Sequence, residues 1–473
     1  MADLARDSSQ TQSILGGKTA SPMGQFGWLS YELAQGPYFL LINIFVFGPY
    51  FSSTVIGNPV AGQSYWGYIQ GTAGLLIAMM SPVLGSLADA TGARKYGIAI
   101  FATIAGLFTF GLWFASPDLP HLLPLVIMSL IVSAVTLEFA SVYHNAMLPS
   151  LVSHNAVGKL SGLGYSSQYV AGSTVFLIWL FFFSLPDAPA LGLSKENFGP
   201  DRIVGPLTAV WLAIAILPLF LFTPDLPRSS LSVTKAARVG LKRLVETFRS
   251  LSHYKNIAIY LVARLIYYDG MTAVFAFIGI YAAGIFGWTT AQVGIFALIT
   301  LNISAIGGAV GGWLDDKIGS KKTILIAVAG FGLTNVLSIS ITPDVVFFFW
   351  TPADFGDAQI PLLSGLFTAL GFETFAEHLF MSIAMFGGIF AGPGLASSRT
   401  MLARIVPPNM AGEFFGLYTL TGKATAFIAP FAIGIATNIF QSQRAGFSIV
   451  LVFLLVGFIM MFFVKEEQSK EAH

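Results

Sequence analysis

The stretch GSLADATGARK at residues 85–95 has a near copy, GGWLDDKIGSKK, at residues 311–322. Four positions match at an offset of 227 residues: Gly85 with Gly312, Asp89 with Asp316, Gly92 with Gly319, and Arg94 with Lys321. A long apolar run precedes each copy and another follows it, so each copy is predicted to form a short loop between two hydrophobic helices. The chain is therefore built from two hydrophobic halves repeated in parallel.

Both copies have a chemistry that suits a loop between membrane helices. The glycine lets two helices approach closely, the aspartate can accept hydrogen bonds or pair with a base, and the basic residue can hold the loop at a charged lipid surface. A charged turn that only fixes topology is the alternative interpretation, and the second copy at matching positions disfavours it. We therefore expect both stretches to act as gating loops.

The composition is that of an integral membrane protein. Hydrophobic residues make up 55% of the 473 positions, charged residues make up 10%, and the mean hydropathy is +0.75. An ordinary soluble domain is about 25% charged, so a soluble globule is excluded. The absence of cysteine excludes disulfides and thiolate chemistry. A net charge of +1 gives no indication of a nucleic-acid partner.

Twelve apolar runs have about the length that a helix needs to cross a bilayer. They cover approximately 33–53, 65–87, 96–116, 122–144, 161–184, 205–224, 257–284, 291–313, 322–341, 378–399, 413–439 and 445–464. With a cytoplasmic N-terminus, 18 of the 24 Lys and Arg residues fall in cytoplasmic segments, so the positive-inside rule predicts that both termini are cytoplasmic. The only glycosylation triplet, at Asn302, lies inside an apolar run, which favours a bacterial cytoplasmic membrane.

A second repeat supports the same two halves. NAMLPSLVSHNAVGKLSG at 145–162 aligns with RTMLARIVPPNMAGEFFG at 399–416 at an offset of 254 residues. The larger offset requires extra residues in the second half, and the acidic segment 342–377 supplies them. The predicted parts are a first six-helix half with its cytoplasmic tail over 1–224, a basic cytoplasmic linker with an amphipathic helix over 225–256, and a second six-helix half over 257–473 with an outer insertion near 342–377.

Charged groups within the apolar runs are the candidate functional groups, because each costs several kcal/mol inside a bilayer unless it meets a partner or water. Tyr31-Glu32 in helix 1 and Tyr267-Tyr268-Asp269 in helix 7 occupy corresponding positions in the two halves. Desolvation favours the neutral form of a carboxylate, which suits the uptake and release of a proton. The predicted substrate and proton cavity is formed by Trp28, Tyr31, Glu32, Gln35, Glu138, Tyr268, Asp269 and Lys423.

Structural roles remain open for several of these residues. Glu32 could instead anchor the start of helix 1 at the inner surface, and Asp269 could form a salt bridge with Arg264. His144 at the end of helix 4 is more typical of an interface residue than of a proton relay. Trp28 beside Glu32 could stack on a bound amine, and Tyr31 could do the same.

Two basic residues of the second half are further candidates. Lys423 lies about ten residues into helix 11, where a lysine needs a carboxylate, a carbonyl or an anionic substrate group as its partner. Arg399 ends helix 10 and is grouped with the gating residues, because it could bind the loop of the second repeat or a lipid phosphate.

The loop pattern G-x-x-x-D-x-x-G-x-R-K resembles the loop between helices 2 and 3 of major facilitator transporters, with its weaker echo between helices 8 and 9. The first copy departs from it in having Ala90 where a basic residue is usual. This resemblance implies an all-α integral membrane fold with twelve transmembrane helices in two parallel six-helix repeats. In that fold helices 1, 4 and 7 line the central cavity.

Further segments resemble the Atg22-like (UMF1) branch of that superfamily. They are GWLSYELAQGPYF, RLIYYDGM, YHNAMLPSL, KLSGLGY and SSRTMLARIVPPNMAGEFFGLYTLTGKATAFIAP. The family usually has Tyr-Asp and Ala-Asn in helix 1, where this chain has Tyr31-Glu32 and Ala34-Gln35, each one methylene longer. Because the fungal vacuolar members are associated with amino-acid efflux, the resemblance implies transport of amino acids.

The sequence thus predicts a secondary transporter, most plausibly a monomer, that moves amino acids, short peptides or another small polar metabolite, with protons as candidate partners. A transporter of a larger amphipathic substrate, such as a cell-wall sugar peptide or lipid fragment, is one alternative. A membrane receptor or scaffold that transports nothing is another. An enzyme is least favoured because no nucleophile and base can be paired, and neither cofactor nor metal is expected, since the six His residues are scattered.

Overall fold

The computed structural model describes residues 12–13, 17–91, 94–153, 157–225, 254–355, 360, 363–406, 414, 417–418, 422 and 425–466. Within this part the chain is helical, and its only β-bridges are two isolated ones. It forms two compact units. The first comprises residues 1–47 and 76–245, and the second comprises 48–75 and 246–473. The linker helix expected within 225–256 lies outside the described residues.

The α-helices of the first part of the chain follow one another with short connections. They are α1 Pro22–Pro37, α2 Phe47–Tyr50, α3 Pro59–Thr91, α4 Arg94–Gly111, α5 Leu123–Leu151, α6 Val157–Trp179, α7 Gly199–Arg202, α8 Val204–Ala215 and α9 Leu217–Phe222. Three π-helical segments interrupt this series, at Tyr38–Phe45, Phe51–Val55 and Leu180–Ser184.

The remaining described helices belong to the second unit. They are α10 Lys255–Phe286, α11 Thr290–Ile318, α12 Ser320–Ile339, α13 Ser364–Ala369, α14 Phe375–Ile405, α15 Ile428–Phe440, α16 Gln443–Phe447 and α17 Ile449–Phe462. The short helix α13 lies within the acidic insertion at 342–377. There Glu377 is a capping residue rather than a free charge, because it accepts hydrogen bonds from the Thr374 backbone and from Trp288 Nε1.

All twelve predicted spans fall on these helices. In the described part of the chain, 10 helical stretches are long and apolar enough to cross a membrane. Helix α3 and the shorter apolar helix α15 cover the other two predicted spans. The chain is therefore an all-helical, multi-pass membrane protein.

Helix 1 begins earlier than the hydropathy predicts. Its first residue is Pro22 rather than residue 33, and the hydroxyl of Ser21 caps it by accepting a hydrogen bond from the Gly24 N–H. Small residues lower the hydropathy of this first part because it packs against protein. A Cβ on Gly27, for example, would lie 2.5 Å from Thr223 Oγ1. Glu32 therefore lies in the third turn of α1, and it does not open the helix.

Glycines let two helices of the second unit approach closely. A Cβ on Gly67 of α3 would lie 2.7 Å from the Cα of Gly434 in α15. Two turns along the same contact, Gln63 Nε2 donates hydrogen bonds to Thr437 Oγ1 and to the Gln443 carbonyl oxygen. Close backbone approach with a buried amide hydrogen bond is typical of helix pairs inside membranes.

Candidate functional site

In the first unit, Glu32 belongs to a hydrogen-bonded chain between α1 and α5. Gln35 Nε2 donates to Glu32 Oε2, and Ser141 Oγ donates to Gln35 Oε1 at 2.9 Å. The hydroxyl of Tyr31 lies 3.0 Å from Ser141 Oγ and donates to the Leu137 carbonyl oxygen. The side chain of Glu32 is 13% exposed, whereas Tyr31 is fully buried.

The imidazole of His144 lies between the rings of Trp28 and Tyr31. The ring centroids are 4.3 Å apart for Trp28 and 4.2 Å apart for Tyr31, and both pairs are stacked. His144 Nε2 lies 2.9 Å from the Trp28 carbonyl oxygen, and Trp28 Nε1 donates to the His144 carbonyl oxygen. His144 Nδ1 faces Glu32 Oε1 at 3.6 Å. In the structure, the stacking partner of both aromatic rings is thus His144.

Glu138 lies on the same helix, α5, and is partly buried. It is six residues before His144, so the two side chains project from different faces of the helix. The chain of hydrogen bonds described above runs from Glu32 through Gln35 to Ser141, and the structure gives no contact between it and Glu138.

In the second unit, Arg264 is the buried charge of the corresponding region. Its guanidinium carbon lies 3.4 Å from the ring centroid of Tyr418 and 4.6 Å from that of Tyr268. Arg264 Nη1 donates to the Tyr418 carbonyl oxygen, and Arg264 Nε is buried without an acceptor. A Cβ on Gly422 would lie 3.4 Å from Nη1, so a small residue leaves room beside the guanidinium.

Hydroxyl groups surround this cation. Tyr260 donates to the Ser398 carbonyl oxygen, and Ser398 Oγ lies 2.6 Å from the Tyr418 hydroxyl. The hydroxyl of Tyr267 is buried without a hydrogen-bond partner. A cation and an unpaired hydroxyl in one buried region form a set of donors suited to an anion.

Asp269 is buried but does not pair with Arg264. Both residues are described in full, and no salt bridge joins them. Asp269 Oδ2 accepts a hydrogen bond from the Ala429 N–H at 3.3 Å, at the start of α15. A carboxylate at a helix N-terminus is stabilised by the unpaired N–H groups and the helix dipole. The contact gives Asp269 a capping role that the predicted salt bridge does not include.

Part of the predicted site lies outside the described residues. Lys423 and Gly92 are outside them, as are the side chains of Asp89 and Asp316. Gly85 lies within α3, and Arg399 is an exposed residue of α14. Gly312 is exposed, and Gly319 precedes α12 with a φ of +89°, a conformation that favours glycine.

The basic residues of the two gating loops hold the ends of other helices. Lys95 Nζ donates to the Phe220 carbonyl oxygen, and its N–H donates to Asp225. Lys321 Nζ donates to the Phe462 carbonyl oxygen, and its N–H donates to Glu466. Arg94 is buried at the start of α4, and its N–H also points to Asp225. These lysines are therefore bound to protein carbonyls.

An ion-pair network extends the second of these contacts. Arg404 Nη2 lies 3.0 Å from Asp315 Oδ1, and Arg404 Nη1 lies 2.9 Å from Glu466 Oε1. Ser320 Oγ donates to the same Asp315 oxygen. Sequence reasoning chose Asp316 and missed its neighbour Asp315, which is 4% exposed. Arg404 in the second repeat was the available signal, because its charge lies near a loop with two carboxylates.

Solved structures with a similar fold are membrane transporters. A D-xylose-proton symporter matches with a TM-score of 0.63 and 14% identity, covering 94% of this chain and 97% of that one. The nucleoside transporter NupG matches with a TM-score of 0.59 and 13% identity, covering 93% of this chain and 97% of that one. Identities this low establish the fold alone, which is that of the major facilitator superfamily.

Sequence comparison defines the branch. The family described as "Vacuole effluxer Atg22 like" matches residues 51–473, and the chain belongs to this family. The MFS-type transporter YxiO of Bacillus subtilis is 23% identical over 451 residues, covering 94% of this chain and 95% of YxiO. Autophagy-related protein 22 of Cryptococcus neoformans is 22% identical over 304 residues, 63% of this chain. The chain spans about half the length of the fungal relatives that it matches.

Proposed function

We propose that the protein is a secondary active transporter that moves a small metabolite carrying a carboxylate across a bacterial cytoplasmic membrane by alternating access. Amino acids and short peptides are the substrates that fit best, and protons are the coupling ion. The observation that carries the proposal is Arg264, whose guanidinium is buried beside two aromatic rings with no carboxylate partner among the described residues.

The energetics of Arg264 favour an anionic ligand. A charged side chain inside a membrane costs at least about 3 kcal/mol, and simulations of an isolated helix give more. A desolvated cation over an aromatic ring gains about 2 kcal/mol, and one hydrogen bond from a charged donor adds about 2 kcal/mol. These contacts stabilise the cation without using Nε, which is buried without an acceptor. A substrate carboxylate would supply that acceptor.

The chemistry of arginine narrows the substrate class. Its planar guanidinium binds a carboxylate or a phosphate through two parallel hydrogen bonds, a geometry that a lysine does not reproduce. A neutral sugar would leave the buried charge without a counterion. The family description as an effluxer supports a metabolite with such a group, and the direction of transport then follows the gradients across the membrane.

Transport in proteoliposomes tests the proposal. Labelled pools of amino acids, dipeptides, neutral sugars and cell-wall sugar peptides would be offered separately, and counterflow would be measured for each. We expect counterflow of amino acids or dipeptides. Counterflow of only sugars or only sugar peptides would overturn the substrate class, and a folded protein that exchanges none of the four pools would favour a receptor or scaffold.

The arginine itself is tested by substitution. Arg264→Gln should weaken binding of the transported amino acid about 10- to 100-fold, because a hydrogen bond to a charged group contributes about 1.5–3 kcal/mol. Arg264→Lys should retain part of the affinity. Arg202→Gln is the matched control, because Arg202 also lies over a tryptophan ring and donates to backbone carbonyls. Equal affinities in Arg264→Gln and Arg202→Gln would contradict the proposal.

The topology is proposed with the function and has its own test. Because the chain contains no cysteine, single cysteines can be introduced without a background. A cysteine at Lys470 should be labelled only from the cytoplasmic side, and one at Ser194 only from the outside. The opposite labelling pattern would place both termini outside. Detergent-solubilised protein should have the mass of a monomer.

A further inference from the structure

The hydrogen-bonding state of His144 is fixed on one side by its contacts. A backbone carbonyl oxygen only accepts hydrogen bonds, so the nitrogen that lies 2.9 Å from the Trp28 carbonyl oxygen, Nε2, must carry a hydrogen. In neutral imidazole the other nitrogen, Nδ1, then holds a lone pair. This nitrogen is buried, has no hydrogen-bond donor and faces Glu32 Oε1 at 3.6 Å.

An ionised Glu32 opposite a neutral His144 would be unfavourable. A lone pair and a carboxylate oxygen would then face each other in a buried place, where electrostatic interactions are stronger than in water. One added proton removes the conflict, whether it is held as a carboxylic acid that donates to Nδ1 or as an imidazolium paired with the carboxylate. Both arrangements place the proton between the same two atoms.

We propose that Glu32 and His144 form a proton-binding site that holds one exchangeable proton between Oε1 and Nδ1. When the proton leaves to water, the pair changes from net neutral to a single negative charge, and no other bond is broken. Glu32 is 13% exposed, so the proton can leave through its carboxyl group. His144 is fully buried and cannot exchange with water directly.

The surroundings leave this pair as the titrating centre of α1 among the described side chains. Helices α8 and α9, which pack on α1, carry no Asp, Glu, Lys, Arg or His. Helix α6 contributes Tyr169, which contacts Phe39, while the side chains of Lys159 and Tyr165 lie outside the described residues. Beyond His144, the charged or titratable groups on α5 and the π-helix are Glu138, Tyr143 and Tyr38. Tyr143 lies against Gly97 of α4, and Tyr38 bonds Ser133.

Loss of the proton would act on the packing of α1 against α5. His144 is held in place by stacking with Trp28 and Tyr31 and by two hydrogen bonds to the Trp28 backbone and ring. Repulsion between Nδ1 and the carboxylate would push against these contacts. Proton binding therefore stabilises one arrangement of α1 and α5, and proton release favours another. This inference rests on the proposed function only for its use of the proton in transport.

Nitrogen NMR of the histidines tests the site without any substrate. In detergent-solubilised protein labelled with ¹⁵N-histidine, His144 should be protonated at Nε2, and its Nδ1 should show the shift of a hydrogen-bonded or protonated nitrogen. Glu32→Gln should move that Nδ1 resonance, whereas Glu138→Gln should leave it unchanged. His378 is the internal reference, because it is also buried and its Nε2 also bonds a backbone carbonyl.

The outcomes are distinct. Protonation of His144 at Nδ1 alone would overturn the site, as would an Nδ1 resonance that Glu32→Gln leaves unchanged. If Glu32→Gln does not fold, Glu32→Asp keeps the charge on a shorter stem and should lengthen the contact and shift the resonance. An unshifted Glu32→Asp resonance would count equally against the site. Failure of the transport assay with a positive NMR result would reject the proposed function and leave the proton site standing.

Discussion

The two units use the same places in their first helices for opposite charges. At an offset of 236 residues, Trp28 corresponds to Arg264 and Tyr31 to Tyr267, and all four are buried. In the first unit aromatic rings hold His144 beside an acid, and in the second unit they hold Arg264 beside hydroxyl groups. The comparison shows that the repeat preserves an aromatic frame between helices while the group inside the frame has diverged.

The helix caps, in contrast, have been preserved in both units. Asp225 accepts from the first N–H groups of α4, and Glu466 accepts from those of α12. The lysine in each contact donates to a backbone carbonyl at 2.9 Å. These contacts superimpose Lys95 on Lys321, an offset of 226 residues, which is one less than the sequence motif indicates. The preserved parts are thus the scaffold, and the diverged parts are the candidate sites.

Loss of the buried carboxylate in the second loop should have the largest effect on stability. Asp315→Asn would leave Arg404 without its shorter ion pair. Breaking a buried pair costs about 3–5 kcal/mol, and since Arg404 is 33% exposed we expect about 2 kcal/mol. Chemical or thermal unfolding in detergent would measure this loss. Asp316→Asn is the matched control, and an equal loss in both variants would contradict the assignment of the pair to Asp315.

The two caps should differ in a predictable way. Glu466→Gln removes a cap and an ion pair with Arg404, so we expect a loss of about 1–2 kcal/mol. Asp225→Asn removes only part of a cap, because asparagine is also a good capping residue, and should cost less than about 1 kcal/mol. Unfolding of the two variants would be compared under one set of conditions. A larger loss in Asp225→Asn would break the correspondence between the units.

Removal of the lysine contacts should have the smallest effect. Lys95→Met and Lys321→Met keep the length of the side chain and remove one hydrogen bond to a carbonyl, which contributes about 1 kcal/mol. Because the contacts are equivalent, the two losses of stability should agree within about 0.5 kcal/mol. A difference several times larger would show that the loops do not have equivalent roles.

Sequence patterns were sufficient to predict the fold, because twelve apolar runs and two repeats leave few arrangements of helices. The start of α1 was wrong, since hydropathy does not distinguish a helix that packs on protein through glycines from a polar tail. Glu32 was found because a charge in an apolar run is conspicuous. The contact of His144 with Trp28 was not predictable, because it joins residues 116 positions apart. Similarly, no spacing rule indicates that Tyr418 stacks on Arg264.

The register of the first helices shows the same limit. The sequence places Tyr31-Glu32 opposite Tyr267-Tyr268-Asp269 without fixing which residues correspond. The buried positions favour the pairing of Glu32 with Tyr268, and Asp269 then corresponds to Leu33. Asp269 caps α15 in the structure, a long-range contact that a local pattern does not contain.

The most direct test of the account compares Glu32→Gln and Arg264→Gln in one proteoliposome assay. If Glu32 and His144 hold the proton and Arg264 holds the substrate carboxylate, Glu32→Gln should lose uptake driven by a proton gradient yet retain amino-acid counterflow. Arg264→Gln should lose both activities. Proton-driven uptake that persists in Glu32→Gln, or counterflow that persists at full affinity in Arg264→Gln, would contradict the division of roles between the two units.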